Sequence, residues 1–63
     1  MSITLMTTVE AAEYLNISTQ ILERRRSQRL PPAFVKLGGQ VRYRVSDLDD
    51  WIEESTAYVE ETK

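Results

Sequence analysis

Pro31-Pro32 divides the chain into two stretches that follow different periodicities. A proline pair removes two backbone donors and pushes the preceding Leu30 toward extended backbone, so a helix arriving from the N-terminal side stops there. Upstream, apolar residues recur at helical spacing. Downstream, Phe34, Val35 and Leu37 mark a short strand, Gly38-Gly39 supplies the turn of a hairpin, and residues 41 to 45 alternate as the return strand. The 63 residues leave room for one domain with a modest core.

In the upstream half, Thr7 and Glu10 stand three apart, as a capping box requires, and Met6 is placed to staple against Ala11 across that cap. Val9, Ala12 and Leu15 form the expected buried stripe of a first helix, with Glu10 and Glu13 toward water. Asn16 tolerates the left-handed backbone that ends a helix. Ile17 then plugs the corner, and Ser18 caps a second helix that ends near Ser27 or Gln28. The apolar positions of that helix are Ile21 and Leu22, and the next position of the stripe is Arg25. Either the Arg25 stem lies along apolar surface, or the helix is buried on a narrow face.

In the downstream half, the hairpin puts Val41, Tyr43 and Val45 on one face and Arg42 and Arg44 on the other. Ser46 and Asp49 repeat the cap pattern at the start of a third helix, whose stripe is Leu48, Trp51 and Ile52. Trp51, the only tryptophan, is expected to contribute most to the core. The predicted core is therefore Val9, Ala12, Leu15, Ile17, Leu22, Val35, Tyr43, Leu48, Trp51 and Ile52. Residues 1 to 6 read as an extended lead-in. Residues 5–54 are expected to form the domain, and residues 55–63 an acidic extension, either disordered or continuing the third helix through Tyr58 and Val59.

Composition narrows the function classes. Cysteine and histidine are both absent, which removes disulfides, thiolate metal sites, the commonest neutral metal ligand and the commonest general base. No metal or cofactor is expected. Asp47, Asp50 and Glu54 fall three and four apart but read as solvated helix charge, and the glycine pair suits a hairpin rather than a phosphate loop, so the chain is not read as an enzyme. No run of 18 apolar residues exists, so a membrane span is not expected. Residues 1 to 6 lack the basic and long apolar segments of a signal peptide, and a cytoplasmic location is the expectation.

The formal net charge of -2 hides a strong segregation. Residues 1 to 16 carry -2, residues 17 to 45 carry +6 and residues 46 to 63 carry -6, so that seven of the eight basic residues fall between Arg24 and Arg44. A polyanion responds to the local field, and a basic face binds it while an acidic one points away. Two short helices joined by a tight turn make a helix-turn-helix, whose second helix lies in the major groove. The first turns of that helix here offer Thr19, Gln20, Glu23 and Arg24 to base edges: glutamine suits adenine, arginine guanine, and glutamate accepts from cytosine. Arg25, Arg26, Lys36, Arg42 and Arg44 are the candidates for DNA backbone or minor groove.

Three segments, LMTTVEAAEYLNIS at 5–18, LPP at 30–32 and KLGGQVRYRVSDLDDWI at 36–52, resemble the small winged helix-turn-helix proteins of the excisionase and AlpA-like prophage regulator type, related to MerR-type DNA-binding domains. The likeness covers residues 5 to 54, and its most specific part is the glycine pair followed by V-R-Y-R and S-D-L-x-x-W. It implies an α+β fold in the order helix-helix-β-hairpin (wing)-helix, with the second helix reading DNA and the wing on the adjacent backbone or minor groove. It also implies a transcription regulator of a mobile element or a recombination directionality factor. Such proteins usually carry an apolar residue where this chain has Arg25, and often a glycine where it has Arg29. Double-stranded DNA is the expected partner, with self-association or cooperative binding on tandem sites, and contact with a recombinase or polymerase. The competing reading is a protein-interaction module that uses the basic face, or the acidic third helix and tail.

Overall fold

The computed structural model describes the backbone of residues 4–59 and the side chains of residues 4–55. The expectations for residues 1 to 3, for the Tyr58 and Val59 side chains and for residues 60 to 63 lie outside the described residues. The elements run β1 (Leu5–Met6), α1 (Thr8–Leu15), α2 (Thr19–Ser27), β2 (Val35–Leu37), β3 (Gln40–Arg44) and α3 (Val45–Val59). They form an α+β winged helix-turn-helix.

The α1–α2 corner is fixed by local chemistry. Thr7 accepts from the Glu10 amide at 3.1 Å and the Glu10 carboxylate accepts from the Thr7 amide at 3.0 Å, closing the capping box. Asn16 ends α1 at φ 60°, and the Ile17 amide donates back to the Ala12 carbonyl at 3.0 Å. Ser18 Oγ accepts from the Ile21 amide at 3.3 Å and starts α2.

The sheet has three strands, not two. β1 pairs antiparallel with β3 on the side opposite β2, so β3 is central and the order is β1-β3-β2. The Val45 amide donates to the Thr4 carbonyl at 3.1 Å and extends that pairing. The lead-in thus gives the marginal hairpin a third strand. Gly38 and Gly39, at φ 58° and 84°, make the tight turn between β2 and β3, which only a residue without a Cβ adopts at no steric cost at both positions. Val45 opens α3 directly after Arg44, so it belongs to the helix rather than to the return strand, and Ser46 lies inside the first turn rather than before it.

The core is built from Ala11, Ala12, Leu22, Tyr43 and Leu48, with Met6, Leu15, Ile17, Val41 and Trp51 packed around it. Ala11 and Ala12 let α1 approach its neighbours closely. Truncating Leu22 or Leu48 to alanine would cost about 2–5 kcal/mol, a large share of the ~5–15 kcal/mol of a typical domain.

Three predicted core positions, Val9, Ile52 and Val35, are placed differently, and Trp51 keeps its place in the core but not its expected rank. Val9 is 57 % exposed. It stands two residues from Ala11, about 200° around the helix, so the arc that buries Ala11, Ala12 and Leu15 leaves it outside. Ile52 is 42 % exposed, because burial falls along α3 from Leu48 through half-buried Trp51 as the helix runs past the elements covering its first turns. Trp51 yields the dominant place to Tyr43, which with Leu22 and Leu48 forms the largest fully buried set. Val35 pairs with Arg42, and residues directly opposite share a face; Val35 therefore lies on the arginine face of the sheet, away from Tyr43, and is only half-buried there.

Candidate nucleic-acid interface

α2 is anchored by Leu22, and its other side chains divide by angle from it at about 100° per residue. Gln20, Glu23, Arg24 and Ser27 all fall on the far side, and all four are exposed. Thr19 lies nearer the buried side and is half-buried. Three of the four residues expected to meet bases thus share one open face. Ser27 joins them, a position that reads in sequence only as the helix end. The 20, 23, 24, 27 spacing carries that signal, being the i, i+3, i+4, i+7 of one helix face. Ser27 Oγ donates to the Arg24 carbonyl at 3.2 Å.

The three consecutive arginines part company at this point. Arg24 projects into solvent with no side-chain partner among the described residues. Arg25 turns toward α3: its guanidinium carbon lies 4.8 Å from the centroid of the Trp51 ring, and its Nε donates to the Pro31 carbonyl at 2.6 Å. Arg26 turns toward the sheet, where Nη1 donates to the Tyr43 hydroxyl at 2.9 Å and the guanidinium sits over the Phe34 ring at 5.8 Å. Phe34 and Tyr43 meet in turn, with ring centroids 6.2 Å apart. Arg25 and Arg26, both half-buried, are held within the fold.

The hairpin also divides its cations. Arg42 and Arg44 lie on the outer face of β3, opposite buried Tyr43. Lys36 pairs with Val41 and so lies on the other face of the hairpin, exposed beyond the core. Arg42 folds along its own strand, donating to the Val41 carbonyl at 2.7 Å and to Gln40 Oε1 at 3.0 Å. Arg44 Nε donates to Asp47 Oδ2 at 2.9 Å, a pair between an exposed arginine and a half-buried aspartate that ties the strand end to the first turn of α3. Arg24, Arg29 and Lys36 have no side-chain partner among the described residues. Arg29 and Leu30 line an open cleft of about 750 Å³ between the end of α2 and Phe34.

Tyr14 at the end of α1 donates to Asp49 Oδ1 of α3 at 2.6 Å. That hydrogen bond, followed by desolvation and the Asp49 charge, raises the phenol above its ordinary range. No group of three or more acidic side chains among the described residues is arranged to hold a metal ion. No helix among them is long and apolar enough to cross a membrane.

Two capped helices at a tight corner, the second presenting an open polar face beside a hairpin, define a helix-turn-helix domain. The chain belongs to the helix-turn-helix domain family, which matches residues 5–56. It is a small DNA-binding protein of a non-enzymatic family, and its partner is double-stranded DNA. No curated protein and no solved structure matches the chain.

Proposed function

We propose that this protein binds duplex DNA in a sequence-specific manner, as a transcription regulator of a mobile element or an excisionase-like directionality factor of the AlpA-like, MerR-related type, acting in the cytoplasm. α2 enters the major groove and the hairpin wing lies on the adjacent backbone or minor groove. Gln20, Glu23 and Arg24 meet base edges, with Thr19 at the margin, while Lys36, Arg42 and Arg44 meet phosphate or groove. The observation that carries this reading is the open face of α2, four polar or charged side chains wide and covered by no other element among the described residues. Residues 5–54 form the binding unit and residues 55–63 an extension to it. A domain of this size contacts few base pairs, so tandem or cooperative binding supplies the remaining specificity; the acidic extension is available for a recombinase or polymerase.

Selection from a random duplex library, followed by footprinting and titration at several salt concentrations, tests the reading. One enriched short site with affinity falling steeply with salt is expected. Strong bending over tandem sites assigns the directionality role, and a single unbent site assigns the regulator role. Binding that is insensitive to salt, or a library that yields no enriched site, would overturn the proposal.

A further inference from the structure

Arg26 is a half-buried cation held by neutral groups. Its Nη1 donates to the hydroxyl of Tyr43, whose side chain is only 1 % exposed, and its guanidinium covers the Phe34 ring. No carboxylate pairs with it among the described residues. Tyr43 is on β3 and Phe34 directly precedes β2, so one side chain from the last turn of α2 holds both β3 and the residue that leads into β2. An arginine that served only to meet phosphate would do so best with all its donors in solvent, as Arg24 has.

We infer that Arg26 is a positioning residue, which sets the wing against α2 through the buried Tyr43 phenol, and that of the three consecutive arginines only Arg24 is free to neutralise phosphate or read a base. The inference rests on the DNA-binding geometry proposed above and adds what fixes it. A helix and a wing that must engage neighbouring grooves together need a set angle between them, because misalignment of one forfeits the contacts of the other. The planar guanidinium suits this role, since it donates in its own plane to the phenol while offering its face to the Phe34 ring.

Tyr43→Phe removes the acceptor without altering charge, and Arg26→Ala removes the donor. Each variant is first shown to be folded by circular dichroism, and the angle between hairpin and α2 is read in the free protein from residual dipolar couplings. DNA affinity is then measured across a salt series. Both single variants should reorient the hairpin and weaken binding about tenfold, the size of one hydrogen bond to a charged group. The double variant should be no worse than either, and Tyr43→Phe should leave the salt slope unchanged. Lys36→Ala, by contrast, should lower that slope by about one phosphate contact. If Arg26→Ala lowers the slope by about one while Tyr43→Phe binds like wild type, Arg26 is a phosphate contact and the inference fails. Folded variants with wild-type couplings and affinity overturn it equally. A wild-type chain that ignores duplex DNA would refute the proposed function instead, and the couplings would still decide whether Arg26 holds the wing.

Discussion

The Arg25 guanidinium lies over the face of Trp51, 4.8 Å from the ring centroid, and so joins the end of α2 to the middle of α3. The same side chain donates to the Pro31 carbonyl, which pins the segment after α2 to both helices. A position that breaks the apolar stripe of α2 is therefore occupied by a residue whose flat cation replaces apolar packing with stacking. Arg25→Ala should destabilise the domain by about 1–2 kcal/mol, combining a lost cation–π contact and a lost charged hydrogen bond. Arg25→Lys should recover only part of that, because an ammonium cannot stack and donate from a fork. Urea unfolding followed by Trp51 fluorescence measures both, and an Arg25→Ala midpoint equal to wild type would rule the contact out as a stabiliser.

Arg29 adopts φ 60°, left-handed backbone in a residue that bears a Cβ. Its amide closes on the Arg26 carbonyl at 3.1 Å, so the conformation belongs to the helix terminus. Arg29→Gly should raise stability by up to about 1 kcal/mol, relief of backbone strain outweighing the added freedom of the unfolded chain. Thermal unfolding of the variant tests the sign, and a lower melting temperature would show that the arginine side chain contributes more than its backbone costs.

The raised pKa of Tyr14 has a defined consequence at alkaline pH. Its folded value lies above the 10.0 of an ordinary phenol, so the hydrogen bond to Asp49 contributes in full below about pH 10 and is lost as pH rises through the folded value. Asp49→Asn should lower the Tyr14 midpoint toward 10.0 by removing the carboxylate acceptor and its charge. Spectrophotometric titration, with Tyr14→Phe to isolate the signal, should show this displacement; coincident wild-type and Asp49→Asn curves would contradict the assignment.

On the open face of α2, Arg24→Ala should cost about 1–3 kcal/mol of binding and relax preference at one base pair, as loss of a base-edge contact does. Lys36→Ala and Arg42→Ala should instead weaken all sequences alike. Competition between the selected site and its single-base variants distinguishes these patterns. Equal loss across every sequence for Arg24→Ala would move that residue from base reading to backbone contact.

Most features governed by neighbouring residues were legible in the sequence, the Ser46 cap excepted, since α3 already begins at Val45. The Thr7–Glu10 box, the left-handed Asn16, the Ser18 cap and the Gly38-Gly39 turn each depend on a few adjacent side chains, and each stands where the pattern placed it. Features governed by distant partners were not. β1 is two residues long and carries no periodicity of its own, so its pairing with β3 follows only from the antiparallel space beside Tyr43. The sequence marked Arg25 as a break in the apolar stripe and offered both Arg25 and Arg26 to DNA backbone, but nothing near them in sequence announces Trp51, Phe34 or Tyr43. Val35 is apolar like its neighbours, yet the two-residue turn fixes its register opposite Arg42 and sends it to the outer face. On the candidate interface, the open face of α2 followed from helical spacing, whereas the division of the arginines between open solvent and half-buried contacts with Trp51, Phe34 and Tyr43 required the tertiary fold.

β3 gives way to α3 between Arg44 and Val45 with no intervening loop. One residue inserted there would turn the whole helix by about 100° and swing Leu48 out of the interior. At the Gly38-Gly39 tip, by contrast, a Cβ built on either glycine would meet nothing within 4 Å. Anyone wishing to lengthen the wing, or to graft onto it a longer reach for a different groove, has one tolerant place to cut this chain and one that would unmake it.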